Sequence, residues 1–243
     1  MAKKRLLQYR GKLSAVQIAD GMNAARRNAR RLADDAKLLL DAGRYPTAAS
    51  IAALSIEESG KLSVLRGLAM SPNKEVRSRS WKDYRTHRHK NAAWILPDLV
   101  AKGARDLDSL RPATDVTAPH TALLDQVKQI GFYTDCLGAA HWSEPEQVID
   151  ENVSRPLVKI ADLLAKGGKI TAKEIELWIE HLRPVYGAPL EVMKMALLDW
   201  YAEMLESNLW EDRGVPLEAF VLGDHEDKLN EWLKFKADIH RTR

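Results

Sequence analysis

A single cysteine, Cys136, stands in this chain of 243 residues. It leaves no partner for an intramolecular disulfide and no cluster for a structural zinc, a pattern that fits a reducing cytosol. Long apolar runs are missing too. No 18 apolar residues occur together, and the start, Met1-Ala-Lys-Lys-Arg-Leu-Leu7, is not followed by an apolar segment of signal-peptide length. The expectation is a cytoplasmic protein with no membrane partner. Strand signals are scarce, with no sustained alternation and no hairpin dipeptide between β-branched runs. No Glu-x-x-His occurs anywhere. The di-iron arrangement of four-helix bundles requires that motif from two helices, so it is excluded.

What is present suits a large helical core. The chain is 45% hydrophobic and 29% charged, enough for one large domain or for one domain with a smaller companion. Met22, Ala25, Ala29, Leu32, Ala36 and Leu39 form a helical stripe that predicts a helix over residues 14–42, with Gly43 as its stop. Pro46 opens a second helix over about 47–70 that is apolar nearly all round and therefore central. A third is expected from Glu75 to Leu96, with Pro97 as a kink or end. Residues 103–119 read as a loop. A fourth helix follows, from Pro119 to Ile130, with Leu123, Val127 and Ile130 on one side. Residues 131–142 read as a loop. Ser143-Glu-Pro-Glu146 reads as a capping box, with Trp142 as a hydrophobic staple rather than a base-stacking platform. A break is expected at Pro156, a stop at Gly167-Gly168, and a second capping box at Thr171-Ala-Lys-Glu174. Helices near 172–182, 189–208 and 225–240 complete an all-α chain.

Charge is unevenly distributed. Lys74, Arg77, Arg79, Lys82, Arg85, Arg88 and Lys90 face two acids, Glu75 and Asp83, in a chain of net charge +3. His87 and His89 sit inside this basic stretch. By contrast, residues 199–227 hold nine acids and one base, Arg213. The two surfaces suit separate tasks or mutual attraction. On a continuous helix Tyr84, His87, Asn91 and Trp94 share a stripe, while His89 points elsewhere. A two-His metal pair needs a spacing of three or four, so the reading is metal-free. A histidine near neutrality can move a proton, and a neighbouring arginine can stabilise charge on a phosphate. The alternative is a solvated basic face.

Glu57, Glu58 and Lys61 interrupt the central helix. Glu57 and Lys61 lie four apart and can pair. Glu58 lacks a partner on its own helix, and a buried carboxylate needs one. Arg85 or Arg88 is the expected supplier. Glu58 would then orient the Arg/His group. The alternative is that both glutamates reach solvent.

Three blocks together resemble the AbiV-like branch of the HEPN superfamily, the abortive-infection proteins of bacteria. They are Ala33-Asp-Asp-Ala-Lys-Leu-Leu-Leu-Asp-Ala-Gly-Arg-Tyr-Pro-Thr-Ala48 leading into Ser55-Ile-Glu-Glu-Ser-Gly-Lys61; Tyr84-Arg-Thr-His-Arg-His-Lys90; and Lys128-Gln-Ile-Gly-Phe-Tyr-Thr-Asp135 with Trp142-Ser-Glu-Pro145. The resemblance implies a HEPN-like helical bundle, placed over 1–168, a homodimer and a role in stopping phage; residues 169–243 carry no motif of the family and read as a C-terminal helical extension packed on the bundle. HEPN ribonucleases carry Arg-x4–6-His. Here neither histidine has an arginine at that spacing, and the nearest pairs are Arg85-x-His87 and Arg85-x3-His89.

On this reading Arg85, His87 and Glu58 are the catalytic candidates for cofactor-free, metal-independent RNA cleavage. Arg79, Lys82, Arg88, His89 and Lys90 are candidates for phosphate contact. Glu57, Lys61, Tyr84, Tyr133 and Asp135 are candidates for support, the last two alternatively plain core and turn residues. The competing reading is a non-catalytic defence protein that binds RNA or a phage or host protein and interferes with translation.

Overall fold

The computed structural model describes residues 7–210 and 217–223. Lys3, Lys4 and Arg5, the expected helix over 225–240 and parts of the acidic 199–227 stretch lie outside them.

Two long antiparallel helices form the centre. The first, α1 (Ala15–Asp41), opens with a capping box between Ser14 and Gln17 and stops before Gly43, whose φ of 70° is easy for glycine. Its stripe is buried as expected at Met22, Ala25, Ala29, Leu32 and Ala36. The second, α2 (Tyr45–Ala69), buries Ala48, Ala49, Ala52, Ala53 and Ile56. Small residues on both faces allow a close approach, and the Ser55 hydroxyl reaches across to donate to the Ala29 carbonyl at 2.7 Å.

The expected third helix is broken. It divides into α3 (Lys74–Asp83), α4 (His87–Asn91), a 3-10 turn (Ala92–Ile95) and α5 (Leu96–Ala101), with Pro97 inside the first turn of α5. Thr86 is the break, extended at φ −92° and ψ 141°. Its hydroxyl donates to the Asp83 carbonyl at 2.9 Å and meets His89 Nδ1 at 2.7 Å. Threonine competes well with helix through such local bonds.

The inward face of α6 (His120–Phe132) includes Val127 and Ile130, which pack half-buried against the core, but is rotated away from Leu123. Thr121, Leu124 and Lys128 are buried, whereas Leu123 is exposed. A small antiparallel hairpin, β1 (Asp135–Leu137) with β2 (His141–Ser143), replaces the expected loop. Residues 143–146 form no capping box. Glu144 precedes the short α7 (Pro145–Val148) without a side-chain cap. Trp142, 65% exposed, staples nothing. The helix α8 (Glu151–Leu164) is capped by Asp150 and runs through Pro156 without a break.

Beyond the two glycines, Thr171 and Glu174 make the expected capping box for α9 (Ala172–Leu182), which is followed by α10 (Leu190–Glu206) and α11 (Leu217–Leu222). Ile170 and Ile175 join Ile18, Met22, Leu65 and Trp81 in one core cluster, so α9 packs against the central pair. No helix among the described residues is long and apolar enough to cross a membrane.

Candidate functional site

The site is built on Glu57. This carboxylate lies at the centre of α2 and is 4% exposed. Three cationic or ring-nitrogen donors from two other helices converge on it. From α4, Lys90 Nζ reaches Oε2 at 3.2 Å, and His87 Nδ1 lies 2.9 and 3.0 Å from the two carboxylate oxygens. From α6, Lys128 Nζ binds Oε1 in a very short contact and Asp125 at 3.1 Å. Burial pushes the Glu57 carboxyl up, but the Lys128 hydrogen bond, the Lys90 charge and the His87 hydrogen bond outweigh it. The group is held below the usual carboxylate range. With His87 neutral, two acids and two bases cancel.

The local sequence explains how α4 comes so close. Gly60 lies one turn after Glu57 on the same face, and a β-carbon there would overlap the Lys90 carbonyl oxygen and stand 2.9 Å from Lys90 Cα. Glycine is therefore required, and the break at Thr86 lets α4 lie along α2 at an angle of its own.

The network assigns the His87 tautomer. Nδ1 faces two carboxylate oxygens at about hydrogen-bond length, whereas Lys128 Nζ stands farther off at 3.4 Å. Nδ1 therefore carries the hydrogen and donates it to Glu57. Nε2 has no hydrogen-bond partner among the described residues, and half of the side chain is exposed. In the neutral ring, a buried carboxylate that holds Nδ1–H leaves the Nε2 lone pair free, the geometry of a general base.

The glutamates exchange the roles expected of them. Lys61 pairs with Glu58, at 2.5 Å, rather than with Glu57. It is Glu57 that receives bases from other elements, and neither Arg85 nor Arg88 is among them. Arg85 is engaged elsewhere: its guanidinium donates to the Trp81 carbonyl at 2.6 Å and the Tyr9 carbonyl at 2.7 Å, and lies over the Trp81 ring. It shares no hydrogen bond with His87. Arg85 thus ties the N-terminal segment to α3.

The other candidates are dispersed. Arg79, Lys82 and Arg88 are exposed. His89 faces Asp83, with Nε2 3.4 Å from its carboxylate. Tyr84 packs edge-on against Trp81, with the Lys61 ammonium over its ring. Tyr133 and Asp135 lie exposed at the hairpin and share no hydrogen bond or ion pair with the Glu57 group.

Lys128 and its partner Asp125 are the site residues that the candidate set lacks. The signal for Lys128 was available as a lysine four residues after Leu124, on the apolar face of an amphipathic helix. The apolar side drawn through Leu123, Val127 and Ile130 passed it by, because Leu123 is exposed and Leu124 is the buried residue of that turn.

Glu57, His87 and Asp125 offer ligand atoms within 4.8 Å of one another. Lys128 Nζ, however, already bridges the two carboxylates. A metal ion would have to displace a buried ammonium, so this donor set suits a fixed cation better than a divalent one.

Comparison with known proteins brings one match. The model of the AbiV family, a HEPN type, matches residues 17–166. No curated protein and no solved structure matches the chain. The matched segment contains all five residues of the Glu57 group.

Proposed function

The chain belongs to the AbiV family of HEPN-type proteins of abortive infection, a form of phage defence, and from that premise we propose that it acts as a metal-independent endoribonuclease with His87 as general base. The observation that carries this reading is the Glu57–His87 pair, with Nδ1 held by a buried carboxylate and Nε2 free. In the proposed step Nε2 takes the proton of a ribose 2′-hydroxyl, and the 2′-oxygen attacks the adjacent phosphorus. The bond to the 5′-oxygen breaks, and that oxygen takes a proton from water. The products are a 2′,3′-cyclic phosphate and a 5′-hydroxyl. Arg88, exposed and next in the chain, supplies positive charge for the phosphate. Arg85 is left out of the chemistry because backbone carbonyls occupy its guanidinium. A homodimer would bring two such histidines together.

The test is infection of cells carrying wild-type or His87→Ala protein at equal levels. Protection by the wild type, lost in the folded variant together with RNA fragmentation, is expected. Protection that survives His87→Ala overturns the reading.

A second reading draws on a different observation. Tyr133, Leu137 and Trp142 are exposed along the hairpin, and Tyr133 is 61% exposed. Such an apolar edge suits docking of a phage or host protein without catalysis. Protection abolished by Trp142→Ser and indifferent to His87→Ala would favour it.

A further inference from the structure

A cavity of about 620 Å³ opens where the family-matched segment meets the helices that follow it. Val64 and Gly67 of α2 form one wall, and Ala93 and Leu96 at the start of α5 form a second. Leu107 and Leu110, from the segment 103–119, form a third. Leu190 of α10 and Phe220 of α11 close it from beyond residue 166. These walls are tied to one another. The Leu107 amide donates to the Phe220 carbonyl at 2.9 Å, and the buried Lys194 of α10 donates to the Asp108 carboxylate at 2.7 Å. The volume lies in the range of small-molecule sites.

The polar side chains around the cavity divide into those already paired and those that are free. Ser63 donates to the Gly60 carbonyl at 2.9 Å, Ser80 to the Val76 carbonyl at 3.1 Å and Thr114 to the Arg111 carbonyl at 2.8 Å, so each hydroxyl hydrogen turns back on its own chain. Asp83 is met by His89 Nε2 at 3.4 Å, and Thr86 meets the other ring nitrogen at 2.7 Å. The Arg111 guanidinium and the Tyr186 hydroxyl line the same cavity and share no hydrogen bond or ion pair with any described residue. Both residues are exposed at the rim. Both are hydrogen-bond donors, one with a fixed positive charge, and the lining around them is apolar or already paired. Such a lining complements an apolar body with one anionic, accepting head. We propose that this cavity binds an aliphatic carboxylate, its carboxylate on the Arg111 guanidinium and the Tyr186 hydroxyl and its chain along Leu96, Leu107, Leu110 and Phe220. A guanidinium matches the planar carboxylate through two parallel N–H bonds.

The placement gives α10 and α11 a task, since the site is completed by helices outside the family-matched segment. It also touches α4 from behind. His89 lines the cavity, while His87, two residues earlier, points the other way toward Glu57. If the nuclease reading holds, on which this clause alone rests, an occupant here also alters cleavage.

The test is calorimetric titration of the full chain with hexanoate, octanoate and decanoate below micelle formation, with octanol, octylamine and acetate as controls. Saturable one-site binding of octanoate is expected, tightening by up to about fourfold per added methylene. Octanol and octylamine should bind more weakly and acetate not at all. Arg111→Gln, at an exposed position free of ion pairs, should unfold like wild type. It should bind octanoate about tenfold more weakly, the loss of a hydrogen bond to a charged group. Gly67→Leu, the second variant, places a side chain where a Cβ meets open space, and should lose binding of every chain. No saturable binding of any of the three acids overturns the proposal. So does octanol or octylamine binding as tightly as octanoate, or a full response in folded Arg111→Gln. Because the readout is binding, it stands whatever the outcome for RNA cleavage.

Discussion

The backbone of Lys90 rests on Gly60: a β-carbon at position 60 would overlap the Lys90 carbonyl oxygen. That contact sets the height of α4 above α2, and hence the reach of Lys90 and His87 to Glu57 one turn earlier. Gly60→Ala should therefore cost about 1–3 kcal/mol, the range for forcing atoms into a filled site, and should loosen the Glu57 group. Gly67, in the same helix with open space at its Cβ, is the control. Gly67→Ala should gain about 0.5–1 kcal/mol from helix propensity. Denaturant unfolding of both variants checks the pair, and equal effects of one sign would contradict the packing.

Glu57→Gln should be more damaging than Glu58→Gln. The first leaves Lys90 buried without a counter-charge, at a cost of about 3–5 kcal/mol. The second breaks a single part-buried pair with Lys61, about 1.5–3 kcal/mol for a hydrogen bond to a charged group. Parallel thermal melts decide it, and the reverse order would return the orienting role to Glu58.

Acid should reveal the same carboxylate. Glu57 titrates lower in the folded chain than in the unfolded one, through Lys128, Lys90 and His87 working against burial. Its stabilisation is fully present above about pH 4.3, the ordinary glutamate value, and is lost as pH falls through the depressed folded value. The stability gap between wild type and Glu57→Gln should therefore narrow on acidification below about pH 4.3. A gap that widens there contradicts the sign.

Arg85 and His87 should separate by phenotype. Arg85→Ala removes two hydrogen bonds to carbonyls and a ring contact, and should cost about 1–3 kcal/mol. His87→Ala removes a half-exposed ring and should cost about 1 kcal/mol or less. Urea midpoints of the two variants test this. A larger loss in His87→Ala would make the histidine a structural residue.

Much of this was legible in the chain. Periodicity located α1 and the all-apolar α2, because burial on one face or all round leaves its mark at helical spacing. The charges in α2 announced a buried carboxylate for the same reason. What the chain hid was which glutamate turns inward, since Glu57 and Glu58 differ by one residue and helix rotation is fixed by packing against α4 and α6. The Thr86 break was hidden as well. It depends on local hydroxyl bonds and on the approach over Gly60, and neither alters the pattern of apolar residues. Once the break exists, the stripe of Tyr84, His87, Asn91 and Trp94 no longer describes one surface, and Arg85 points to Tyr9 and Trp81 instead of the histidine. Pro156 misled in the other direction, because a proline in the second turn of α8 forfeits one hydrogen bond without ending the helix.

The most direct test of the central claim is cleavage of end-labelled tRNA by the purified protein in EDTA, with His87→Ala alongside and both shown to be folded. The account predicts fragments ending in 2′,3′-cyclic phosphate with the wild type and intact RNA with the variant. Intact RNA with both, or equal cleavage by both, would contradict it.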